Sequence, residues 1–119
     1  MLTVGGATPM AAAIPLMSAP VRVTAATKQD LRLAVNVAQF NQLEFLINIY
    51  EGTDVACKII TGMQTETYDG WQDLGLFTAT LDANSSERKT MTNPLAYILW
   101  QVTSSGNATF FITGVARQT

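Results

Sequence analysis

The sequence predicts an all-β protein, a jelly-roll-like antiparallel β-sandwich with an extended N-terminal arm. Three observations lead to this fold class. Apolar and polar residues alternate in several runs, as in strands with one buried face. Clusters of turn-forming residues separate these runs at spacings of roughly 8–12 residues, which is typical of sandwiches and barrels. No stretch between them has a helical period, and 119 residues suit one domain.

Two alternating runs in the first half of the chain give the clearest strand patterns. Residues 30–37 place leucines and valines on one face, and residues 43–50 repeat the pattern. Residues 51–54 then supply a turn. The side chains expected to face the core are Leu31, Leu33, Val35, Val37, Leu43, Phe45, Ile47 and Ile49.

The middle of the chain predicts a hairpin followed by a loop. Residues 55–67 form a β-branched run in which Gly62 marks a bulge or a close approach to the backbone. Residues 71–80 form the return strand, with Phe77 on the core side. The polar segment 82–92 is expected to be a loop, because charged and turn-forming residues dominate it.

Two C-terminal runs, residues 95–103 and 109–116, complete the predicted sandwich. Residues 104–107 join them, and Gly106 and Asn107 can supply the positive φ angles that short hairpins require. The sequence therefore predicts a C-terminal hairpin.

The N-terminal segment, residues 1–20, is apolar but is interrupted by prolines and a Gly-Gly pair, so no membrane-spanning helix fits it. No basic residue precedes Arg22, so the segment also lacks the start of a secretory signal. We interpret it as an extended arm before a single domain of residues 21–119, packed along its own domain or onto a neighbouring subunit. The arm side chains expected to contact a partner are Leu2, Val4, Met10, Ile14, Leu16 and Met17.

Composition argues against several classes of function. The formal net charge is −2 and no basic block occurs, so nucleic acid is not an expected partner. The chain has no histidine and one cysteine, Cys57, which we expect to be a small buried apolar residue. We therefore assign no catalytic residue, metal or cofactor. Only 13% of residues are charged, which favours a surface partly covered by a partner.

Residues 66–77, ETYDGWQDLGLF, concentrate aromatic and acidic side chains. A glycosidase would need one of two carboxylates, roughly 5–9.5 Å apart, in an apolar pocket, and an exposed turn supplies none. A sugar-binding platform of Tyr68, Trp71 and Trp100 is an alternative interpretation. Turn chemistry at Asp69 and the following glycine explains the same residues. We expect Tyr68, Asp69 and Trp71 to form an exposed hairpin contact.

Three stretches follow one another in the chain: LRLAVNVAQFNQLEFLINIYEGT, MQTETYDGWQDLGLF and LAYILWQVTSSGNATFFITGVARQT. Over residues 30–119, this order resembles small β-sandwich virion proteins of tailed bacteriophages. In such proteins a turn is followed by Trp and a DLG-F return, and an aromatic-rich hairpin closes the chain near a Val-Ala-Arg ending, here Val115, Ala116 and Arg117.

The resemblance implies a capsid decoration, or cement, protein that is made in the host cytoplasm and binds the outside of the assembled shell. Its partner would be the major capsid protein, and it would bind as a dimer or trimer that gains avidity from several contacts. No enzymatic activity is implied. Two alternatives remain: a tail or baseplate adaptor of similar fold, and a carbohydrate-binding β-sandwich module.

Overall fold

The structure is a computed structural model that describes residues 10–78 and 80–119. It confirms the predicted fold class, because strands in two antiparallel sheets form nearly all of the regular structure, with a single 3-10 turn at Leu31–Leu33. The strands are β1 (Ala11–Ala13), β2 (Val21–Val23), β3 (Thr27–Lys28), β4 (Val35–Asn36), β5 (Gln42–Glu51), β6 (Cys57–Gly62), β7 (Gln72–Leu76), β8 (Ser86–Thr92), β9 (Tyr97–Val102) and β10 (Ala108–Arg117).

The strand order within the described residues is that of a jelly roll. The first sheet has the order β1-β10-β5-β8, and β2 also pairs with β10, beyond the end of β1. The second sheet has the order β3-β9-β6-β7, and β4 shares one side of β9 with β3. When each pair of short strands counts as one position, the orders are 1-8-3-6 and 2-7-4-5, the arrangement of two interlocked Greek keys.

The core lies between the two sheets and is centred on β5 and β10. Leu43, Phe45, Ile47 and Ile49 are at most 1% exposed, which confirms the strand predicted at residues 43–50. The two sheets also meet through aromatic side chains. The rings of Trp100 on β9 and Phe110 on β10 pack edge to face, with centroids 5.1 Å apart.

Residues 30–37 do not form the predicted strand. The Asp30 carboxylate accepts a hydrogen bond from the Arg32 backbone N–H at 2.9 Å and caps the 3-10 turn, so local side-chain bonding overrides the alternating pattern. Only the short β4 follows. Val37 is 1% exposed as predicted, but Leu33 is 61% exposed.

Residues 82–92 were expected to be a loop, and this prediction is wrong. β8 pairs with β5 from Ser86 to Thr92 and extends the first sheet. An edge strand needs only its backbone to extend a sheet, so polar side chains do not prevent its formation. The Leu81–Ser86 connection contains the turn residues, with Asn84 at a φ of 68°.

The predicted C-terminal hairpin is also wrong. β9 belongs to the second sheet and β10 to the first, so residues 104–107 cross between sheets. Gly106 has a φ of 114°, so the turn residue was predicted correctly, but the pairing of β9 with β10 that we inferred from it does not occur. The hairpin between β6 and β7 is confirmed, although β6 ends at Gly62.

Candidate partner-binding edge

One long edge of the sandwich is formed by β1, β2, β3, β4 and the 3-10 turn, and we call it the arm edge. Residues 10–20 belong to it. The Ile14 backbone N–H donates to the Gly114 carbonyl at 2.9 Å, which continues the β1–β10 ladder. Ile14 and Leu16 are 6% and 3% exposed and lie in the core of this same domain. Both were predicted to contact a partner, and their burial leaves them inaccessible to one.

The other predicted arm contacts fall into three groups. Met10 is 39% exposed at the rim of the arm edge. Met17 is half-buried, and its sulfur accepts a hydrogen bond from the Ile112 N–H at 3.3 Å. Leu2 and Val4 lie outside the described residues.

Two grooves run along the arm edge. The larger, about 680 Å³, lies between residues 15–21 and β3, with Trp100 among its lining residues. The smaller, about 440 Å³, lies between β1 and the segment from the 3-10 turn to β4. Pro15 and Leu33 line both grooves, and Leu33 exposes most of its side chain between them. Leu33 therefore adds apolar surface between two concave surfaces.

Gln29 fixes the arm to the second sheet. Its side chain is 5% exposed. Its Nε2 donates to the Leu16 carbonyl at 3.0 Å, and its Oε1 accepts from the backbone N–H of Trp100 at 3.2 Å. Both polar ends of the amide are therefore bonded, as a buried amide requires. The sequence analysis missed Gln29 because it follows the short β3 and no local pattern marks it as buried.

The connection between β6 and β7 is organised by one glutamine. The Gln64 Oε1 accepts from the backbone N–H groups of Glu66 at 2.6 Å and Thr67 at 3.1 Å. Its Nε2 donates to the carbonyls of Thr67 at 2.9 Å and Asp69 at 3.2 Å. The Trp71 indole Nε1 donates to the Gln64 carbonyl at 2.9 Å. The connection is thus held in one shape by its own hydrogen bonds.

The same connection is attached to the second sheet at two points. The Trp71 ring lies on Gly62, where an added Cβ would come within 2.3 Å of a ring atom; this confirms the predicted close approach. The Tyr68 hydroxyl donates to the Gln29 carbonyl at 2.6 Å. The Lys28 ammonium lies 4.7 Å from the centre of the Tyr68 ring.

The sheet beneath the connection has an apolar outer face. Ile60 and Leu99 are register partners on β6 and β9, and they alternate with core-facing residues, so they point away from the core. Both are nevertheless buried, at 4% and 0% exposure. Gly62 lies beside one end of β9 and Lys28 beside the other, so the connection crosses β9 diagonally above Leu99. We infer that it covers this apolar patch.

The predicted hairpin contact is therefore only partly available. Asp69 is exposed, but Tyr68 and Trp71 are half-buried against their own sheet. Trp100 is 6% exposed in the core and cannot join them in a sugar-binding platform. The folded connection uses these rings as a cover for the sheet, because leaving Ile60 and Leu99 in water would be unfavourable.

The carboxylates of this region are not brought together. Asp73 forms an ion pair with Lys58 at 2.9 Å on the outer side of the sheet. Glu66 and Asp69 are exposed, and the two grooves of the arm edge contain none of these three groups. In the described part of the chain, no cluster of three or more His, Cys, Asp or Glu side chains could hold a metal ion.

The perturbed titratable groups have local causes. The hydrogen bonds from Arg32 lower the pKa of Asp30 to about 2. Hydrogen bonds from Arg22 and Thr109 lower the pKa of Glu51. Burial raises the pKa of the Cys57 thiol to about 12, so the thiol is protonated and unreactive at neutral pH.

The edge opposite to the arm edge consists of β7 and β8, and its side chains are arranged differently. Glu87 and Lys89 of β8 lie opposite Ile47 and Phe45 of β5, so they point to the core side of the sheet at its margin. In β7 a register shift leaves Leu74 without a partner in the ladder, which is a β-bulge. Inward charges and bulges both discourage the addition of another strand.

The described residues contain no helix long and apolar enough to cross a membrane. No protein-family model matches the sequence, and no curated protein is significantly similar to it.

Solved structures share the fold. The crystal structure of the SPBc2 prophage-derived protein YomS matches with a TM-score of 0.53 and 15% identity, over 93% of this chain and 96% of that one. The structure of Bacillus endospore appendages, a family of disulfide-linked pili, matches with a TM-score of 0.51 and 14% identity, over 100% of this chain and 96% of that one. At these identities the likeness establishes a common fold for chains of similar length.

Proposed function

We propose that this protein is a structural component of a tailed-phage virion, a decoration protein that binds the outside of the assembled shell and stabilises contacts between major capsid proteins. The observation that carries the proposal is the fixed arm. Ile14 and Leu16 hold it in the core, and β1 holds it in the first sheet. The apolar residues 1–9 therefore start from a fixed point on a rigid sandwich, and an attached segment loses less entropy on binding a partner.

Other features support a structural role. The jelly roll is shared along nearly its whole length with a prophage-derived protein. The apolar arm edge, with its exposed Met10 and Leu33, suits contact with protein surfaces. Binding of many copies to the assembled shell would stabilise it by mass action, so the proposed role requires no catalysis. The partners are the major capsid protein and further copies of this chain, and the location is the capsid surface.

A second structural role, that of a pilus subunit, is suggested by the endospore appendages. Cys57 argues against the disulfide-linked form of that role. The thiol is 3% exposed, and its pKa is raised to about 12, so it cannot reach or attack a second molecule in the folded state. We therefore favour the decoration protein.

The experiment that tests the proposal removes residues 2–9 and measures binding to shells purified from phage that lack the protein. We expect the truncated protein to lose shell occupancy while its thermal unfolding stays close to that of the full chain, because every core residue found within residues 10–78 and 80–119 is retained. The matched control pair replaces Leu2 and Val4 by Asp in one variant and the intervening Thr3 by Asp in the other. Undiminished occupancy of the truncated protein would contradict the proposal.

Copy number separates the shell protein from a tail adaptor of the same fold. A shell protein is expected at on the order of hundreds of copies per virion, and an adaptor ring at about a dozen, because symmetry repeats each site. Quantitative gel densitometry of purified virions against the major capsid protein gives this count. A count of about a dozen copies per virion would contradict the decoration role and favour the adaptor role.

A further inference from the structure

The outer side of β1 carries backbone groups that the sandwich does not use. The Met10 carbonyl and the Ile14 N–H both bond to the β10 side, at 2.9 Å each. Because an antiparallel ladder alternates, the N–H and C=O groups of Ala11 and Ala13 point away from β10. No residue in the described ranges bonds to them, and both side chains are small and exposed.

We propose that β1 is a dimerisation strand that pairs antiparallel with β1 of a second copy, across a twofold axis at Ala12. Ala11 would then lie opposite the partner's Ala13, and each such pair exchanges two backbone hydrogen bonds. Isologous pairing requires a self-complementary strand, and the sequence PMAAAIP is symmetric in residue type about Ala12. Pro15, the residue after Ile14, has no N–H donor and therefore ends the ladder on its side.

The exposed apolar side chains of the arm edge fit the same register. Met10 has the same parity as the core-facing Ile14, so its side chain points to the core side of the sheet. In the dimer, Met10 lies opposite the partner's Ile14, beside the partner's small groove. Ile14 and Leu33 line that groove. The pairing would therefore cover Met10 and Leu33, which are 39% and 61% exposed in the single chain.

The charges beside β1 do not oppose this contact. Arg117, the register partner of Ala11, is bonded to Glu44 at 3.0 Å. Arg32, which lines the small groove, is bonded to Asp30 at 2.8 Å. Glu44 also pairs with Arg88 at 3.5 Å. Arg117 and Arg32 are thus each paired with a carboxylate of their own chain, which weakens the repulsion between two approaching copies.

The first test uses proline substitution with a matched control. Ala13→Pro removes an N–H that points away from β10, so the fold should persist. Thr90→Pro is the equivalent change on the opposite edge. The Ser85 carbonyl accepts from the Ile49 N–H of β5, and the Asn93 N–H donates to the carbonyl of Asn41 just before β5, so the alternating ladder places the Thr90 N–H outward. By sedimentation equilibrium at about 100 µM, we expect the wild type and Thr90→Pro to be dimers. The dissociation constant of the dimer should be at least about tenfold higher for Ala13→Pro than for the wild type.

The second test is a cross-link that does not weaken the interface. Ala12 lies opposite the partner's Ala12 in a non-hydrogen-bonded pair, in which Cα atoms are about 4.5 Å apart, within the range of a disulfide. Mild oxidation should cross-link the Ala12→Cys protein as a dimer and should leave an Ala25→Cys control uncross-linked. A monomeric or trimeric wild type, or equal cross-linking of both variants, would overturn the proposal.

These measurements need only the purified full chain, so they do not depend on binding to shells. If the wild type is monomeric and Ala13→Pro loses only shell occupancy, the edge takes a strand of the capsid protein, and pairing with a second copy is wrong.

Discussion

The two long edges of the sandwich differ in strand length and in how their unpaired backbone is protected. The arm edge has strands of two or three residues, whereas β7 and β8 have five and seven. On the β7–β8 edge, Glu87 and Lys89 point to the core side and a bulge interrupts β7. On the arm edge, β1 presents only alanines, and Leu33 is exposed beside it. A small protein with one charged, bulged edge and one apolar edge is protected against pairing on one side only.

The edges also differ in what holds them to the molecule. β8 is held mainly by its ladder with β5, and one of its side chains, Met91, is buried. The arm edge has short ladders but several buried side chains, including Leu16 and Gln29. The arm edge therefore depends on side-chain packing, and the opposite edge on backbone hydrogen bonds.

Leu16→Ala should have the largest effect. Leu16 is 3% exposed, and truncation of a buried leucine costs about 3 kcal/mol of unfolding free energy because it leaves a cavity. The control, Leu76→Ala, changes a leucine that is 57% exposed on the opposite edge and should stay within about 0.5 kcal/mol. Urea denaturation measures both. Equal losses would show that the arm is not anchored as described.

Gln29→Leu should destabilise the protein by about 2 kcal/mol, although it keeps the side-chain volume. The substitution leaves the Leu16 carbonyl and the Trp100 N–H without their buried partners. Chemical denaturation gives the magnitude. Hydrogen exchange should show faster exchange at Trp100 than in the wild type, and unchanged protection there would refute the assigned role of Gln29.

Lys89→Val should change the protein's association more than its stability. Lys89 faces the core side at the margin of the sheet, opposite Phe45, and valine suits a strand there. We expect the variant to form larger assemblies at concentrations where the wild type does not, as seen by light scattering. Arg88→Val, on the outward face of the same strand, is the comparison. Identical scattering from wild type and Lys89→Val would mean that this charge does not protect the edge.

The acid titration of Asp30 should have the smallest effect. Its pKa is lowered to about 2 by Arg32, whereas an unfolded aspartate titrates near 4. A lowered pKa means that the carboxylate contributes stability above about pH 4 and loses it as the pH falls through about 2. NMR titration should place the Asp30 midpoint near 2, and Arg32→Gln should raise it. A midpoint near 4 in the wild type would show that the ion pair with Arg32 does not stabilise the Asp30 carboxylate at the 3-10 turn.

Several elements were predictable from the sequence because some of their side chains lie in the core and others in solvent, and residue type differs accordingly. β5 alternates perfectly between core and solvent, and its four core residues were identified. Gly62 was marked as a bulge or a close approach, and the structure shows the second, although the approaching group, Trp71, could not be assigned. The arm was identified as an apolar extended segment, but its division into buried Ile14 and Leu16 and exposed Met10 was not, since several registers suit such a segment equally.

The errors share a cause, which is that strand pairing is decided at long range. β8 looked like a loop because an edge strand needs no apolar face, and residues 104–107 looked like a hairpin because turn chemistry does not specify which sheet the next strand joins. Tyr68 and Trp71 looked exposed because their turn is polar, whereas the connection folds onto the outer face of its own sheet. Gln29 had no local signal at all.

Alternation, turn residues and residue counts are local properties, and they were enough to predict the all-β class, the clearest core strand and the apolar arm. The jelly-roll order, the protection of one edge, the exposure of the other and the burial of Gln29 emerged from the three-dimensional arrangement alone. Those properties depend on which distant strands pair, and pairing is set by the packing of the whole core.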